Sequence, residues 1–196
     1  KYPIATLRKA GELKIPFWKP GYWRYEAAKD GTVDLDRKLA EVQNALSGFA
    51  VLSRLYNTCC GMHNHSGNYV GAPVWDTWQV IQLMDAKTLG FYFDPAHATA
   101  EGGAWTSNSS LEIALKRLKM VAVKDFYWEK KNGKWAMKWC PLGQGMVDWP
   151  AVLKRLALAK FSGPLTLHVE YETADELKSV AEDFATLKKL TDAAWG

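Results

Sequence analysis

The sequence predicts an α/β protein in which short strands alternate with longer amphipathic helices. Short apolar runs at 13–18, 59–63, 91–93, 121–124 and 165–170 are predicted as strands. Between the first two, apolar residues return at steps of three and four from Leu35 through Val42 to Leu52, which is the spacing of one helical face. This alternation is typical of βα units around a parallel sheet.

Start and stop signals delimit the predicted helices. The first predicted helix ends near Gly11, the second follows Asp34 and ends near Asn57, and the third spans 75–84. The fourth begins at a Ser109–Glu112 capping box and continues through 120, the fifth spans 149–160 after Asp148, and the last is capped by Thr173 and Glu176.

A hairpin is predicted to interrupt this alternation after the fourth of these strands. Residues 126–131 and 134–139 flank Asn132-Gly133, the strongest short-range signal for a two-residue type I′ turn. We expect the hairpin to overhang the ends of the strands.

Composition limits the function classes. With 196 residues, 48% of them hydrophobic, the chain is expected to form a single domain spanning 1–196. No apolar run approaches the ~20 residues that cross a bilayer, and the net charge of +4 comes from interleaved charges without a basic arm. We therefore expect no membrane partner and no nucleic-acid partner.

Other features leave the compartment open. The three cysteines are too few for a disulfide scaffold, and the Cys59-Cys60 pair has no zinc spacing. The chain opens at Lys1 without a methionine and, as predicted, inside a helix. We expect an N-terminal segment to be missing, so the location could be cytoplasmic or periplasmic/secreted.

Two architectures fit five alternating strands, an open doubly wound sheet and part of a closed barrel. The sequence has neither a GxGxxG turn after a strand nor a GxxxxGKS/T loop, so dinucleotide and P-loop chemistry lack support. Polar residues instead end at least four strands, as expected where several strands of a (β/α)8 TIM barrel contribute to one site.

The candidate site residues stand at these strand ends. Alternation of side chains places His63 with His65, and His168 with Glu170, on common faces. They are joined by three residues from two further strands: Asp94, His97 and Lys124. Imidazole and carboxylate groups together suit Mn²⁺, Co²⁺, Zn²⁺ or Fe²⁺ better than Mg²⁺.

Each of these residues also has a structural interpretation. His63 could be a hydrogen-bonded core residue, His65 a loop cap, and Asp94 a turn residue before Pro95. Lys124 could form an internal ion pair with Asp125. Glu170 is the hardest to explain structurally, because a carboxylate that follows an apolar run needs a cation.

Aromatic residues just beyond the strand ends are candidates for stacking on a sugar ring. The predicted substrate-binding residues are His97, Trp18, Trp23, Trp105 and Trp128. Loop packing is the alternative for the tryptophans.

The motifs GMHNHSG, FYFDPAH, VAVKDF, PLGQGMVDW and GPLTLHVEYE, in this order and spacing, resemble the sugar phosphate isomerase/epimerase family of xylose isomerase-like barrels over nearly the whole chain. The sequence is most similar to branches with an H-N-H motif, which include inosose dehydratase-like and keto-sugar-processing members. The resemblance implies an α/β fold that is the C-terminal portion of a TIM barrel, with strands four to eight, a hairpin after the seventh, and about three strands upstream of Lys1.

The resemblance also implies a metal site. Such barrels usually hold their metal with Glu, Asp, His and Glu, and the matching positions here are His63, Asp94, Ala122 and Glu170. Alanine cannot ligate, so either His168 or His65 completes the shell or the metal is weakened or lost. Lys124, two residues on along the same face, could reach into the space that Ala122 leaves.

Three functions follow. The first is a metal-dependent sugar isomerase/epimerase-like enzyme that removes a proton next to a carbonyl; elimination from the same enediolate would give a lyase or dehydratase acting on a keto-sugar or keto-glycoside. Lys124, His65 and Glu170 are its predicted catalytic residues, and the metal ligands are His63, Asp94, His168 and Glu170.

The second function is a non-catalytic carbohydrate-binding barrel, which the alanine at 122 favours. The third is phosphodiester cleavage, which would need more ligands and a basic face. The expected partner is a small carbohydrate, and a homo-oligomer is left open.

Overall fold

Five parallel strands form one curled sheet in the computed structural model, which describes residues 3–196. The strands are β1 (Phe17–Trp18), β2 (Cys59–His63), β3 (Leu89–Phe93), β4 (Leu118–Val123) and β7 (Leu165–Leu167). They lie in chain order, and each pairs in parallel with its neighbour. The sheet is the partial barrel that the sequence predicts, although β1 and β7 are shorter than the predicted 13–18 and 165–170.

Helices connect the strands and cover one face of the sheet. They are α1 (Pro3–Glu12), α2 (Leu35–Leu55), α3 (Val74–Ile81), α4 (Pro95–Ala114), α5 (Trp149–Leu158) and α6 (Glu176–Trp195). Asp34 and Asp148 cap α2 and α5 as predicted, because each carboxylate accepts a backbone N–H from the first turn. None of the described helices has the length and apolarity needed to cross a bilayer.

Two predicted helix starts are wrong. Ser109 lies inside α4, where its hydroxyl donates to the carbonyl of Thr106, so it forms no capping box with Glu112. The helix starts at Asp94 instead and is kinked at the Gly102-Gly103 pair, and β4 begins at Leu118, before the predicted helix end at 120. The last helix is capped by Asp175 rather than by Thr173.

The hairpin prediction is confirmed. Strands β5 (Asp125–Lys131) and β6 (Lys134–Cys140) pair antiparallel directly after β4. Asn132 and Gly133 both have positive φ, 52° and 77°, as a type I′ turn requires.

The sheet has a different apolar cluster on each face. Phe91 and Phe93 of β3 belong to the main core, together with residues of the helices such as Leu46 and Leu153. Tyr92, between the two phenylalanines, points to the opposite face, where Met120, Ala122 and Phe17 surround it. Since Lys124 is two residues beyond Ala122, alternation directs its side chain to this second face.

Candidate active site

A buried lysine lies at the centre of a polar cluster at the carboxyl ends of the strands. Lys124 follows β4 and contacts Asp94 and His97 from just after β3 and Glu170 from beyond β7. His63, at the end of β2, joins them through Asp94. Only 4% of the Lys124 side chain and none of Asp94 is exposed, whereas 40% of the Glu170 side chain is. With His168, which lies beside Glu170, the structure thus brings together six of the predicted site residues, and Glu170 is on the exposed side of the cluster.

The Lys124 ammonium has a complete set of partners. Its Nζ donates to Glu170 Oε1 and Oε2 at 3.0 and 3.2 Å and to His97 Nε2 at 3.0 Å, and it lies 3.3 Å from Asp94 Oδ2. The ring of Trp139 is 4.3 Å away, within the range of a cation–π contact. The ion pair with Asp125 that the sequence left open is absent here, because the Asp125 carboxylate instead accepts backbone N–H groups from Phe126, Gly143 and Val147.

Asp94 is fixed by its backbone as well as its side chain. The amide of Asn64 donates to the carbonyl of Asp94 at 2.8 Å and accepts from its N–H at 2.7 Å. Burial alone would raise the pKa of Asp94, but the hydrogen bond from His63 and the positive charge of Lys124 hold it well below the ordinary range. The carboxylate is therefore charged at neutral pH.

The partners of the two buried histidines fix their tautomers. An ammonium is only a donor, so His97 Nε2 accepts from Lys124, and Nδ1 carries the proton and donates to Ser66 Oγ at 2.9 Å. Burial lowers the pKa of His97 to about 3 and also lowers that of His63. His63 donates from Nε2 to Asp94 at 3.1 Å and accepts at Nδ1 from the Tyr22 hydroxyl at 2.8 Å.

Glu170 and His168 form the outer part of the cluster. His168 Nδ1 lies 3.4 Å from Glu170 Oε1, and its Nε2 bonds to the Tyr92 hydroxyl at 2.8 Å. The hydrogen bond from His168 and the charge of Lys124 lower the pKa of Glu170 to about 2. A groove of about 830 Å³ between the hairpin and residues 170–173 is lined by Glu170 and Trp139, so the cluster opens into it.

The other predicted residues have different surroundings. The His65 ring lies 4.0 Å from that of His97 and is partly exposed, beside the cluster. Trp18 donates to Ser53 of α2, and both Trp18 and Trp23 pack on Phe49 of that helix.

Trp105 and Trp128 lie on the surface. Trp105, on α4, is 83% exposed, and Trp128 lies on the hairpin beside Trp135 and Met146. The contacts of the four predicted sugar-binding tryptophans, Trp18, Trp23, Trp105 and Trp128, therefore do not place them in the cluster.

Sequence reasoning missed several residues of the cluster. Asn64 stands between the two histidines of the HNH motif, and the alternation argument passed over it because it occupies the opposite face. Trp139 belongs to the hairpin, whose register could have placed it: it pairs with Phe126, two residues after Lys124. Lys19 lies over the Tyr22 ring at 3.8 Å, and burial and the charge of Lys124 lower its pKa.

The fold assigns the chain to a known protein family. Residues 7–190 match the family model described as the xylose isomerase-like TIM barrel, and the chain belongs to that family. None of the curated proteins compared with the chain matches it.

Solved structures show the same fold at low sequence identity. The chain is similar to a D-tagatose 3-epimerase-like protein, with 18% identity and a TM-score of 0.77 over 97% of this chain and 67% of that one. It is similar to the 3-keto-D-glucoside 4-epimerase of E. coli, with 15% identity and a TM-score of 0.74 over 95% and 69%. It is also similar to the IOLI protein, described with a bound zinc atom, with 13% identity and a TM-score of 0.76 over 98% and 68%. The chain thus spans about two thirds of each of these structures.

The residues present here do not fit a bound metal of this kind. Of the four positions that match the family's ligands, Ala122 has no donor atom, and His63 Nε2 bears a proton that it donates to Asp94. Within residues 3–196, no three His, Cys, Asp or Glu side chains are grouped so that they could hold a metal ion. A cation is nevertheless present among the carboxylates, and it is the ammonium of Lys124.

Proposed function

We propose that the protein is a sugar isomerase or epimerase-like enzyme that removes a proton next to a carbonyl group. The observation that carries the proposal is the contact of Glu170 with Lys124, which joins an exposed carboxylate to a buried cation at the strand ends. A base and an electrostatic stabiliser at one point are what α-proton abstraction needs. Membership of the xylose isomerase-like family supports a site in this position.

The exposed and the buried residues of the cluster have different proposed roles. A carbonyl oxygen that enters from the groove can replace Glu170 at the Lys124 ammonium, because that contact is on the exposed side of the cluster. Glu170, released from the ammonium, then accepts the proton from the adjacent carbon. Asp94 and His97, both buried, keep Lys124 in place throughout.

The fate of the proton decides the reaction. Its return to the same carbon from the other side gives an epimer, and its return to the neighbouring carbon gives an isomer. Loss of a β-substituent from the same intermediate would make the protein a lyase or dehydratase. His65 is the proposed second proton carrier, since its ring is partly exposed and lies 4.0 Å from that of His97.

The proposed substrate class is a keto-sugar or keto-glycoside rather than a small sugar phosphate. In support, none of the described residues that form the cluster or line the groove is an arginine, the side chain best suited to bind a phosphate group. We also place the protein in the H-N-H branch of the family, on the residues His63, Asn64 and His65.

Solvent exchange tests the proposal. The purified protein is incubated in D₂O with ketohexoses and 3-keto-glucosides, and deuterium in the sugar is followed by NMR. We expect exchange at a carbon next to the carbonyl, with a loss of about 100-fold or more in Glu170→Gln. Glu172→Gln, which removes a neighbouring carboxylate from the same groove, is the matched control.

The outcome separates the two classes of function. Sugar binding without exchange across the whole panel would refute the enzyme and identify a carbohydrate-binding barrel.

A further inference from the structure

We propose that the Lys124 ammonium permanently replaces the divalent cation that the fold family implies, so that the site holds no metal. The catalytic consequence of this replacement rests on the proposed function, but the replacement itself does not.

The first argument is steric. The ammonium lies 3.3 Å from Asp94 Oδ2, 3.0 Å from Glu170 Oε1 and 3.0 Å from His97 Nε2. A divalent ion held by these atoms would be about 2.0–2.2 Å from each, and so would occupy the space of the ammonium. The two cations therefore exclude each other.

The second argument is the donor set. A metal ligand must offer a free lone pair. In the hydrogen-bonded arrangement of this structure His63 directs none at the cluster, because Nε2 donates to Asp94 and Nδ1 accepts from Tyr22. Ala122, with no donor, is fully buried between Tyr92 and Met120. Of the four positions that match the family's ligands, only Asp94 and Glu170 keep a donor directed at the cluster.

The third argument is that the protein holds the lysine as a fixed part of the site. The side chain is 4% exposed, the Trp139 ring covers it, and Ser66 orients His97, which accepts a hydrogen bond from the ammonium. Without this charge, the carboxylates of Asp94 and Glu170 would meet with no cation between them. A lysine on a flexible stem normally avoids such burial unless its charge is required.

The replacement has a chemical consequence. The ammonium would donate an N–H to the enediolate oxygen and supply one positive charge, where a divalent ion would supply two. The positive charge of Lys124 is also present whether or not a metal ion is available.

Metal uptake tests the replacement without any measurement of activity. Protein stripped with a chelator is dialysed against Mn²⁺, Co²⁺ or Zn²⁺, and bound metal is counted by elemental analysis. We expect less than about 0.1 ion per chain in the wild type. One tightly bound ion that disappears in both Glu170→Ala and His63→Ala would overturn the proposal.

Two variants should restore a metal site. Ala122→His with Lys124→Ala supplies the missing ligand and removes the competing cation, and Lys124→Glu places a carboxylate where the ammonium was. We expect one Co²⁺ per chain in at least one folded variant, with a visible absorption band and a rise in Tm of about 5 °C or more. Failure of both folded variants to bind Co²⁺ would overturn the proposal.

Lys19→Glu is the matched control, since it makes the same charge change beside Tyr22 without removing the ammonium. It should bind no metal, and stoichiometric Co²⁺ uptake by this variant would show that charge alone, rather than removal of the ammonium, opens the site. Absence of sugar exchange would refute the proposed function but would not affect these counts.

Discussion

Asn64 is expected to act as a structural clamp, although it stands in the middle of the HNH motif. Its side chain makes two buried hydrogen bonds, of 2.7 and 2.8 Å, to the backbone N–H and carbonyl of Asp94. Asn64→Ala leaves both groups buried without these partners. Each such group costs about 1–3 kcal/mol, so we expect a loss of about 3 kcal/mol in the free energy of unfolding.

Urea unfolding measures this loss, provided that the slope of the transition is the same in both proteins. The expected fall in Tm is about 6–12 °C for a chain of this size. Asn108→Ala, at an exposed position of α4, is the control and should change the free energy by no more than about 0.5 kcal/mol. A loss below about 1 kcal/mol in Asn64→Ala, with an unchanged slope, would refute the clamp.

Three further outcomes are expected. Folding lowers the pKa of Glu170 from 4.5 to about 2, so the charged carboxylate stabilises the fold above pH 4.5 and this stabilisation is lost as the pH falls towards 2. Unfolding measured at a series of pH values should show that acid lowers the free energy of unfolding less in Glu170→Gln than in the wild type. Gly90→Ala should reduce the yield of folded protein, because the added Cβ would clash with the backbone carbonyl oxygen of Arg117. A normal Tm would show that this close approach can relax. Trp105→Ala should leave exchange kinetics unchanged, since the ring is 83% exposed on α4, and a rise in KM would restore it as a sugar-binding residue.

Much of the fold was predictable because the signals were local. Asn132-Gly133 determines its turn through backbone preference, and Asp34 and Asp148 cap their helices within one turn. The Ser109–Glu112 pair shows the limit of this reasoning, because the same pattern occurs inside α4, which had already begun at Asp94.

The candidate site was predictable in its members and not in its contacts. Their positions at the ends of parallel strands predicted that Asp94, Lys124 and Glu170 lie at one edge of the sheet, and in the structure the three side chains are in contact. Which group the Lys124 side chain would meet depends on spacing between strands that the sequence does not encode locally. The roles of the tryptophans were harder to predict, because the flat apolar ring of a residue such as Trp18 is suited both to stacking on a sugar and to packing on Phe49, which is what it does here.

The central proposal is that Glu170 abstracts a proton while the Lys124 ammonium, rather than a metal ion, stabilises the negative charge that develops. The most direct test is the rate of deuterium incorporation into a reactive keto-sugar by protein stripped with a chelator, compared with the same protein after Mn²⁺, Co²⁺ or Zn²⁺ is added. We expect equal exchange in both samples and a loss of about 100-fold or more in Lys124→Met. Exchange that is absent from the stripped protein and appears only when a divalent ion is added would contradict the claim.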